Sequence, residues 1–322
     1  MPARAWCHGR SPFVETDPRH GQRAGNLEGV NPSGVEGVRR GSTSAPQRVA
    51  AIICAHNAGV DIASTVRSCR AIPGVDLLVV VDDGSDDDTG RNARLAGAVV
   101  VRHSVPRGRA SALETGVKVV AMRDRADWPP RLLLLLSADL GESAVEASAL
   151  VEAVMTGMAD CACGAPPATD PSVGRSLAEN FARSSIRSAT GWEPQAPLSE
   201  ERCLTREALN AAIPFSTGYG IEVSMTIDLL VDGFTLVEVP CTFVHLGSDR
   251  TLGSLNRTAQ YRDTALAIMH RRLRRVRLPA AVRREAARHQ RVGSPYPGPG
   301  ARGAGSSGVG VADEGGSTSA RS

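Results

Sequence analysis

Aromatic residues make up only 3% of the 322-residue chain, which argues against an aromatic-lined carbohydrate-binding module or a base-stacking single-strand binder. Lysine is nearly absent: Lys118 stands alone among 37 basic residues, so a single arginine carries little information here. No segment approaches the roughly 20 consecutive apolar residues of a membrane-spanning helix. The longest run, Leu132 to Leu136, is strand-length and ends in Ser-Ala-Asp. The first residues have no apolar stretch after the basic ones, so no secretory signal is expected and a cytoplasmic address is the default. Seven scattered cysteines then read as reduced packing thiols. Cys161 and Cys163 are the one close pair; without a second pair at zinc spacing they read as part of a buried strand.

What is present is a globular composition, 42% hydrophobic and 22% charged, with 33 glycines and 20 prolines that point to unstructured stretches. Residues 1–47 mix Gly, Pro, Arg and Ser without an apolar period and read as a disordered tail. The stretch 276–322, basic and then rich in Gly and Ser, reads as another. The net charge of +3 is uneven, because nine arginines and one acid, Glu285, fall between His270 and Arg291. That segment reads as a solvated helix end with a basic tail, or as a weak, salt-sensitive contact with anionic lipid headgroups. Any nucleic-acid binding by it would be nonspecific.

Between the tails, short β-branched runs alternate with amphipathic segments: Val49–Cys54 then 60–71, Leu77–Val81 then 86–96, Ala98–Val101 then 109–124, Leu132–Leu136 then 143–156. This βαβαβαβα order predicts a mostly parallel sheet, and strands apolar throughout predict helices on both faces. The later half is less regular, with helices expected at 175–189, after Thr205, at 219–231 and at 255–275, and a strand at Phe234–Val239. Sheets of this kind bind ligands at the carboxyl ends of their strands, so the residues following each run are the candidates.

Those residues are polar. The first strand ends in Cys54-Ala55-His56-Asn57, and the second runs into Asp82-Asp83-Gly84-Ser85-Asp86-Asp87-Asp88. Five carboxylates in seven residues repel one another unless a cation or hydrogen-bond donors are near. Helix capping accounts for Asp86 or Asp87 but not for Asp82 and Asp83, which follow the strand directly. Gly108-Arg109-Ala110 stands at the start of the third amphipathic segment. Ser137-Ala138-Asp139 closes the fourth strand and by itself reads as a cap for the helix expected from 143.

In order, VAAIICAHNAG, VVVDDGSDDDTG, GAVVVRHSVPRGRASALETG and LLLLLSADLGE resemble the nucleotide-sugar-binding half of family 2 glycosyltransferases, which have the GT-A fold. PLSEERCLTREAL, GYGIEVSMTIDLL and VEVP extend the resemblance over roughly 48–268 and look most similar to polyprenyl-phosphate sugar transferases and actinobacterial glucosyl-3-phosphoglycerate synthases. The resemblance implies one GT-A domain over 48–275, with a nucleotide-sugar half at 48–158 and an acceptor half at 159–275. It implies a nucleotide floor from Ala55, His56 and Asn57, base or ribose contacts from Asp82 and Asp83, and donor contacts from Gly108, Arg109, Ser137 and Ala138. It also implies Mg²⁺ or Mn²⁺ held by Asp139 and His245.

Glu222 is implied to face the acceptor as a catalytic or sugar-binding group, and Arg202 to hold a phosphate. Two departures stand out: Ser137 replaces the first carboxylate of the family's D-x-D, and Glu200 and Glu201 stand where glycine is usual. Mg²⁺ commonly takes only one or two protein carboxylates, so the first departure leaves metal binding open. The function implied is metal-assisted transfer of a hexose from a UDP- or GDP-linked sugar to an unidentified acceptor, either a polyprenyl phosphate or a small phosphorylated acid. The alternative is a nucleotide-sugar-binding protein without transferase activity. A sugar-phosphate nucleotidyltransferase is disfavoured, because CAHNAGVD lacks that class's glycine-rich basic loop.

Overall fold

The four apolar runs form β1 (Val49–Ala55), β2 (Val75–Asp82), β3 (Val99–Arg102) and β4 (Leu132–Ser137). The structure is a computed structural model and describes residues 46–167, 176–246 and 253–297. Helices α1 (Ile62–Cys69), α2 (Thr89–Leu95) and α3 (Arg109–Ala121) link these strands as parallel crossovers. After β4 the expected single helix at 143–156 is divided into a 3₁₀ stretch, Gly141–Ala147, and α4 (Ser148–Met155).

The second half adds β5 (Cys161–Ala165), α5 (Leu177–Thr190), β6 (Arg202–Leu204), α6 (Arg206–Ala211), α7 (Ile221–Val231), β7 (Leu236–Pro240) and α8 (Gly253–Leu273). A seven-stranded sheet results, in the order β3-β2-β1-β4-β6-β5-β7, parallel except for β6. This is the mostly parallel, helix-flanked architecture expected for a GT-A fold. Cys161 and Cys163 lie buried in β5.

Alternation along each strand explains the unbroken apolar runs. Ile52, Val79, Val81, Leu133 and Leu135 face one core with α3, α5, α6 and α7, whereas Ile53, Val80, Leu134 and Leu136 face the other with α1 and α4. Gly116 of α3 sits directly on Ile52, where an added Cβ would lie 2.4 Å from a methyl carbon, so the helix and β1 approach closely only without a side chain there. Helix α5 starts with a complete capping box, Ser176 and Glu179.

Beyond residue 275 the structure departs from the expected tail. Helix α9 (Ala280–Arg288) follows Pro279, and Tyr296, 1% exposed, bridges to Leu236 at the sheet edge and donates its hydroxyl to the Thr190 carbonyl at 2.9 Å. Trp192 stacks on Tyr296 with 5.8 Å between ring centroids. The reason is apolar burial: an aromatic pair and Ala286 seal one end of the α5 core, which a count of arginines does not reveal. The expected tails at 1–45 and 298–322 lie outside the described residues. Among the described residues no helix is long and apolar enough to cross a membrane.

Candidate functional site

The carboxyl ends of β1 and β4, the start of α3, the residues leading into β6 and the segment after β7 enclose a cleft of about 610 Å³. Its wall includes His56, Asn57, Arg109, Ser137, Ala138, Asp139 and His245 from the sequence reading, joined by Asp61, Glu200, Glu201 and Tyr219. Ala55 is buried beneath this floor.

On the donor side, the crowded carboxylates are satisfied internally. Asp82 is fully buried; its Oδ1 accepts from Ser85 N at 2.9 Å and its Oδ2 from Arg102 at 3.3 Å. Asp83 accepts from the backbone N–H groups of Arg107 at 2.9 Å and Gly108 at 2.7 Å and meets His103 Nδ1 at 2.7 Å. Burial raises the Asp83 pKa, but these hydrogen bonds outweigh it and hold the carboxyl below its ordinary value. Neither side chain is part of the cleft lining; both carboxylates build the loops that shape its floor. The cause is local, since Asp83 captures the turn that starts α3. Gly108 there has φ 87° and ψ 159°, a region open in practice only to glycine.

His56 meets the Asp83 carbonyl at 2.9 Å, while Asn57 donates its N–H to Ser85 Oγ at 3.0 Å and accepts from Asp86 N at 2.8 Å. The β1 and β2 loops are therefore tied together by hydrogen bonds. Arg109, on the first turn of α3, pairs with Glu222 beneath it and with Glu200 at 3.5 Å. Glu222 is 3% exposed, is not part of the cleft lining and supports Arg109 from below. Burial raises the Glu222 pKa against the opposing pull of Arg109, whose own pKa the neighbouring carboxylates raise despite burial.

Arg202 lies outside the cleft lining. It is 2% exposed, donating from Nε to the Ser199 carbonyl at 3.1 Å and from Nη1 to Thr226 Oγ1 of α7 at 3.0 Å. Successive residues of an extended segment point to opposite sides; here Glu201 joins the cleft wall and Arg202 goes beneath α7.

Opposite the donor loops, acids gather. Ser137 Oγ donates to Glu201 Oε1 at 2.8 Å and to Glu200 Oε2 at 3.1 Å. His245 Nδ1 lies 3.1 Å from Asp139 Oδ1, and its Nε2 lies 3.9 Å from Glu201 Oε1. The His245 segment is anchored by Val244 N to Ser143 Oγ at 2.9 Å and Leu246 N to the Asp139 carbonyl at 2.8 Å. Its hydrogen bond to Asp139 raises the His245 pKa to about 9, so the ring is an imidazolium at neutral pH. Burial raises the Glu201 pKa.

The fold family implies a divalent metal. Among the described residues no three His, Cys, Asp or Glu side chains are gathered in ligating geometry. The donor chemistry nevertheless fits once a cation takes the place of the imidazolium proton: carboxylate oxygen with the neutral imidazole nitrogen of His245 suits Mn²⁺ or Mg²⁺. Glu201 brings a carboxylate to the place where Ser137 lacks one. The sequence flagged the two acids as a departure without revealing this adjacency, which follows from the antiparallel pairing of β4 with β6. Asp61 and Tyr219 carried no signal in the sequence.

Residues 50–218 match the family described as Glycosyl transferase family 2. The chain belongs to that family. It is 35% identical over 130 residues to the succinoglycan biosynthesis protein ExoU of Rhizobium meliloti, covering 37% of this chain and 38% of that one. It is 33% identical over 88 residues to the uncharacterized protein MJ1222 of Methanocaldococcus jannaschii, covering 27% and 34%. The match thus spans little more than a third of these curated relatives.

Among solved structures, glucosyl-3-phosphoglycerate synthase of Mycobacterium tuberculosis in complex with Mn²⁺, UDP-glucose and glycerol 3-phosphate is similar at 26% identity and a TM-score of 0.55, over 70% of this chain and 80% of that one. The same enzyme with phosphoglyceric acid gives 25% and 0.56 over the same shares. The GT-A fold expected from the sequence is thereby shown.

Proposed function

We propose that this family 2 member transfers a hexose from a uridine-diphosphate-linked donor to a hydroxyl acceptor, assisted by Mn²⁺ or Mg²⁺. The observation that carries the reading is the cluster of Asp139, His245 and Glu201 at the strand ends, inside a cleft large enough for a nucleotide sugar. The similar mycobacterial enzyme holds Mn²⁺ and UDP-glucose, which supports uridine as the base. A bound metal ion, ligated by Asp139 and His245 with Glu201 beside them, would stabilise the negative charge of the departing diphosphate.

The chain's own residues do the positioning. His56, Asn57 and the backbone of the β1 loop form the nucleotide floor, held in place by Asp83 and Ser85. Arg109 turns its guanidinium to the cleft for a diphosphate or sugar oxygen while Glu222 fixes it from below. Four carboxylates, Asp61, Asp139, Glu200 and Glu201, share the wall with Arg109 and His245. Of the two phosphorylated acceptors expected from the sequence, the small soluble one is favoured by the similar mycobacterial enzyme, whose structures hold phosphoglyceric acid and glycerol 3-phosphate. The cytoplasmic address expected from the sequence belongs to the same reading.

Thermal-shift titration with UDP-glucose, UDP, GDP-mannose and GDP, each with and without Mn²⁺, tests the donor. A ligand at 100 times its dissociation constant stabilises by about 2.7 kcal/mol, so a metal-dependent rise with the uridine ligands is the expected result. A rise with GDP ligands alone refutes the uridine assignment. Binding with no transfer to any hydroxyl acceptor favours the non-catalytic reading, whose motivation is Ser137 in place of a carboxylate.

A further inference from the structure

A second cavity, of about 350 Å³, lies between α5, α7 and the end of α8 and shares no lining residue with the cleft. Its wall holds Arg271, Arg272, Arg275 and Arg277, the serines Ser185 and Ser188, and an apolar side of Ala189, Ile227, Ile268 and Val276. No acidic side chain lines it. Arg271 is neutralised, since it forms a two-pronged pair with Asp228 and donates to Ser216 Oγ at 2.9 Å. Arg272, Arg275 and Arg277 make no side-chain ion pair or hydrogen bond among the described residues. Three exposed arginines without side-chain partners among the described residues thus border one concavity.

Two further features set this cavity apart from an ordinary basic surface. Ser185 is 3% exposed, and its Oγ is buried without a hydrogen-bond partner, an arrangement that native interiors rarely tolerate. The chain reversal that gathers the arginines breaks a local rule. Helix α8 ends in a Schellman turn, with Val276 N bonded to the Arg271 carbonyl at 2.9 Å and Arg275 N to the Arg272 carbonyl at 3.1 Å. Its left-handed position, φ 57°, is occupied by Arg275 where glycine is the unstrained choice. Leu278 N then bonds the Ala189 carbonyl at 3.0 Å and fixes the turn against α5. A side chain kept at a strained position beside an unsatisfied hydroxyl is the pattern of a binding site.

We propose that this cavity binds a phosphate group, with Arg272, Arg275 and Arg277 supplying charge-assisted hydrogen bonds and Ser185 donating its free hydroxyl. The apolar side accommodates the carbon portion of the phosphorylated ligand. A phospholipid headgroup and a soluble phosphate share this chemistry. The proposal is independent of sugar transfer, because none of these residues touches the cleft.

The test uses the full chain, inorganic phosphate as the calorimetric probe at low ionic strength, and three variants. Arg275→Gly relieves the left-handed residue, so its unfolding temperature holds or rises while phosphate affinity falls roughly tenfold or more. Ser185→Ala weakens binding without lowering stability, since the hydroxyl has no partner to lose. The double variant Arg272→Ala with Arg277→Ala abolishes the heat of binding.

Flotation with phosphatidylcholine vesicles, with and without phosphatidic acid, separates the sources. Flotation that needs phosphatidic acid and is lost in Arg275→Gly identifies a lipid headgroup; phosphate binding without flotation identifies a soluble ligand. Absence of both, or phosphate affinity unchanged across the three variants, overturns the proposal.

Discussion

The two walls of the cleft handle negative charge in opposite ways. On the donor side Asp82 and Asp83 are buried and their oxygens accept hydrogen bonds from Ser85, Arg102, Arg107 and Gly108. On the other wall Asp139 and Glu201 lie against one imidazole, Glu200 and Glu201 against one serine hydroxyl, and Glu200 also pairs with Arg109. The buried pair is satisfied by its own loops. The opposite wall lines the cleft with three carboxylates. Acidic residues alike in sequence therefore do unlike work: one set makes architecture and the other, on the metal reading proposed above, makes a receptor.

The largest expected effect strikes the receptor wall. Asp139→Ala lowers metal-dependent turnover at least about a hundredfold, because metal stabilisation of the leaving group amounts to several kcal/mol. Its unfolding temperature below about pH 9 falls by no more than that of His245→Ala, since the partly exposed Asp139–His245 contact is what is lost. Full activity in that variant would remove the contrast between the two walls.

Asp83→Asn probes the architectural side. An amide cannot accept from Arg107 N, Gly108 N and His103 at once, so urea denaturation should show a loss of about 2–3 kcal/mol. Next in size, Glu201→Gln weakens Mn²⁺ binding roughly tenfold, read by calorimetry, with folding stability unchanged or improved because a buried carboxylate is removed. A variant that binds Mn²⁺ as the parent does would restrict the metal contacts to Asp139 and His245.

The smallest effect is a pH dependence. In the metal-free protein His245 has a folded-state pKa of about 9, raised from an ordinary value of 6.5. A raised pKa stabilises fully below the unfolded value, and the gain disappears as pH rises through the folded value. The difference in unfolding temperature between parent and His245→Ala should therefore be greatest below about pH 6.5 and fade through about pH 9. A constant difference across that range would show that His245 acts by packing.

The sheet was legible because Val49–Cys54, Leu77–Val81, Ala98–Val101 and Leu132–Leu136 are unbroken apolar runs, and each has the polar sequel of a strand's carboxyl end. His56, Asn57, Ser137 and Asp139 reach the cleft for that reason, whereas Arg109 opens the helix after the third run and His245 was indicated by the resemblance. What stayed hidden was direction. An Asp-Asp-Gly-Ser turn reads alike whether its carboxylates point to solvent or hold the next loop, and the Glu201-Arg202 pair does not declare which member faces inward. Tyr296 was hidden by distance, because its partner Leu236 lies 60 positions earlier and nothing local marks the contact. Helix α9 was hidden by composition, its alanines outweighed in the reading by neighbouring arginines.

The reversed strand β6 has one more consequence. Parallel strands deliver their carboxyl ends to the cleft, whereas β6 delivers its entrance, so Glu200 and Glu201 belong to the connection that precedes it. That connection is separate in sequence from the β1 and β2 loops of the other wall. Insertions or exchanges across 191–201 can therefore redraw what the chamber accepts while its other wall is inherited unchanged. Evolution, or a protein engineer, can treat the two as interchangeable modules.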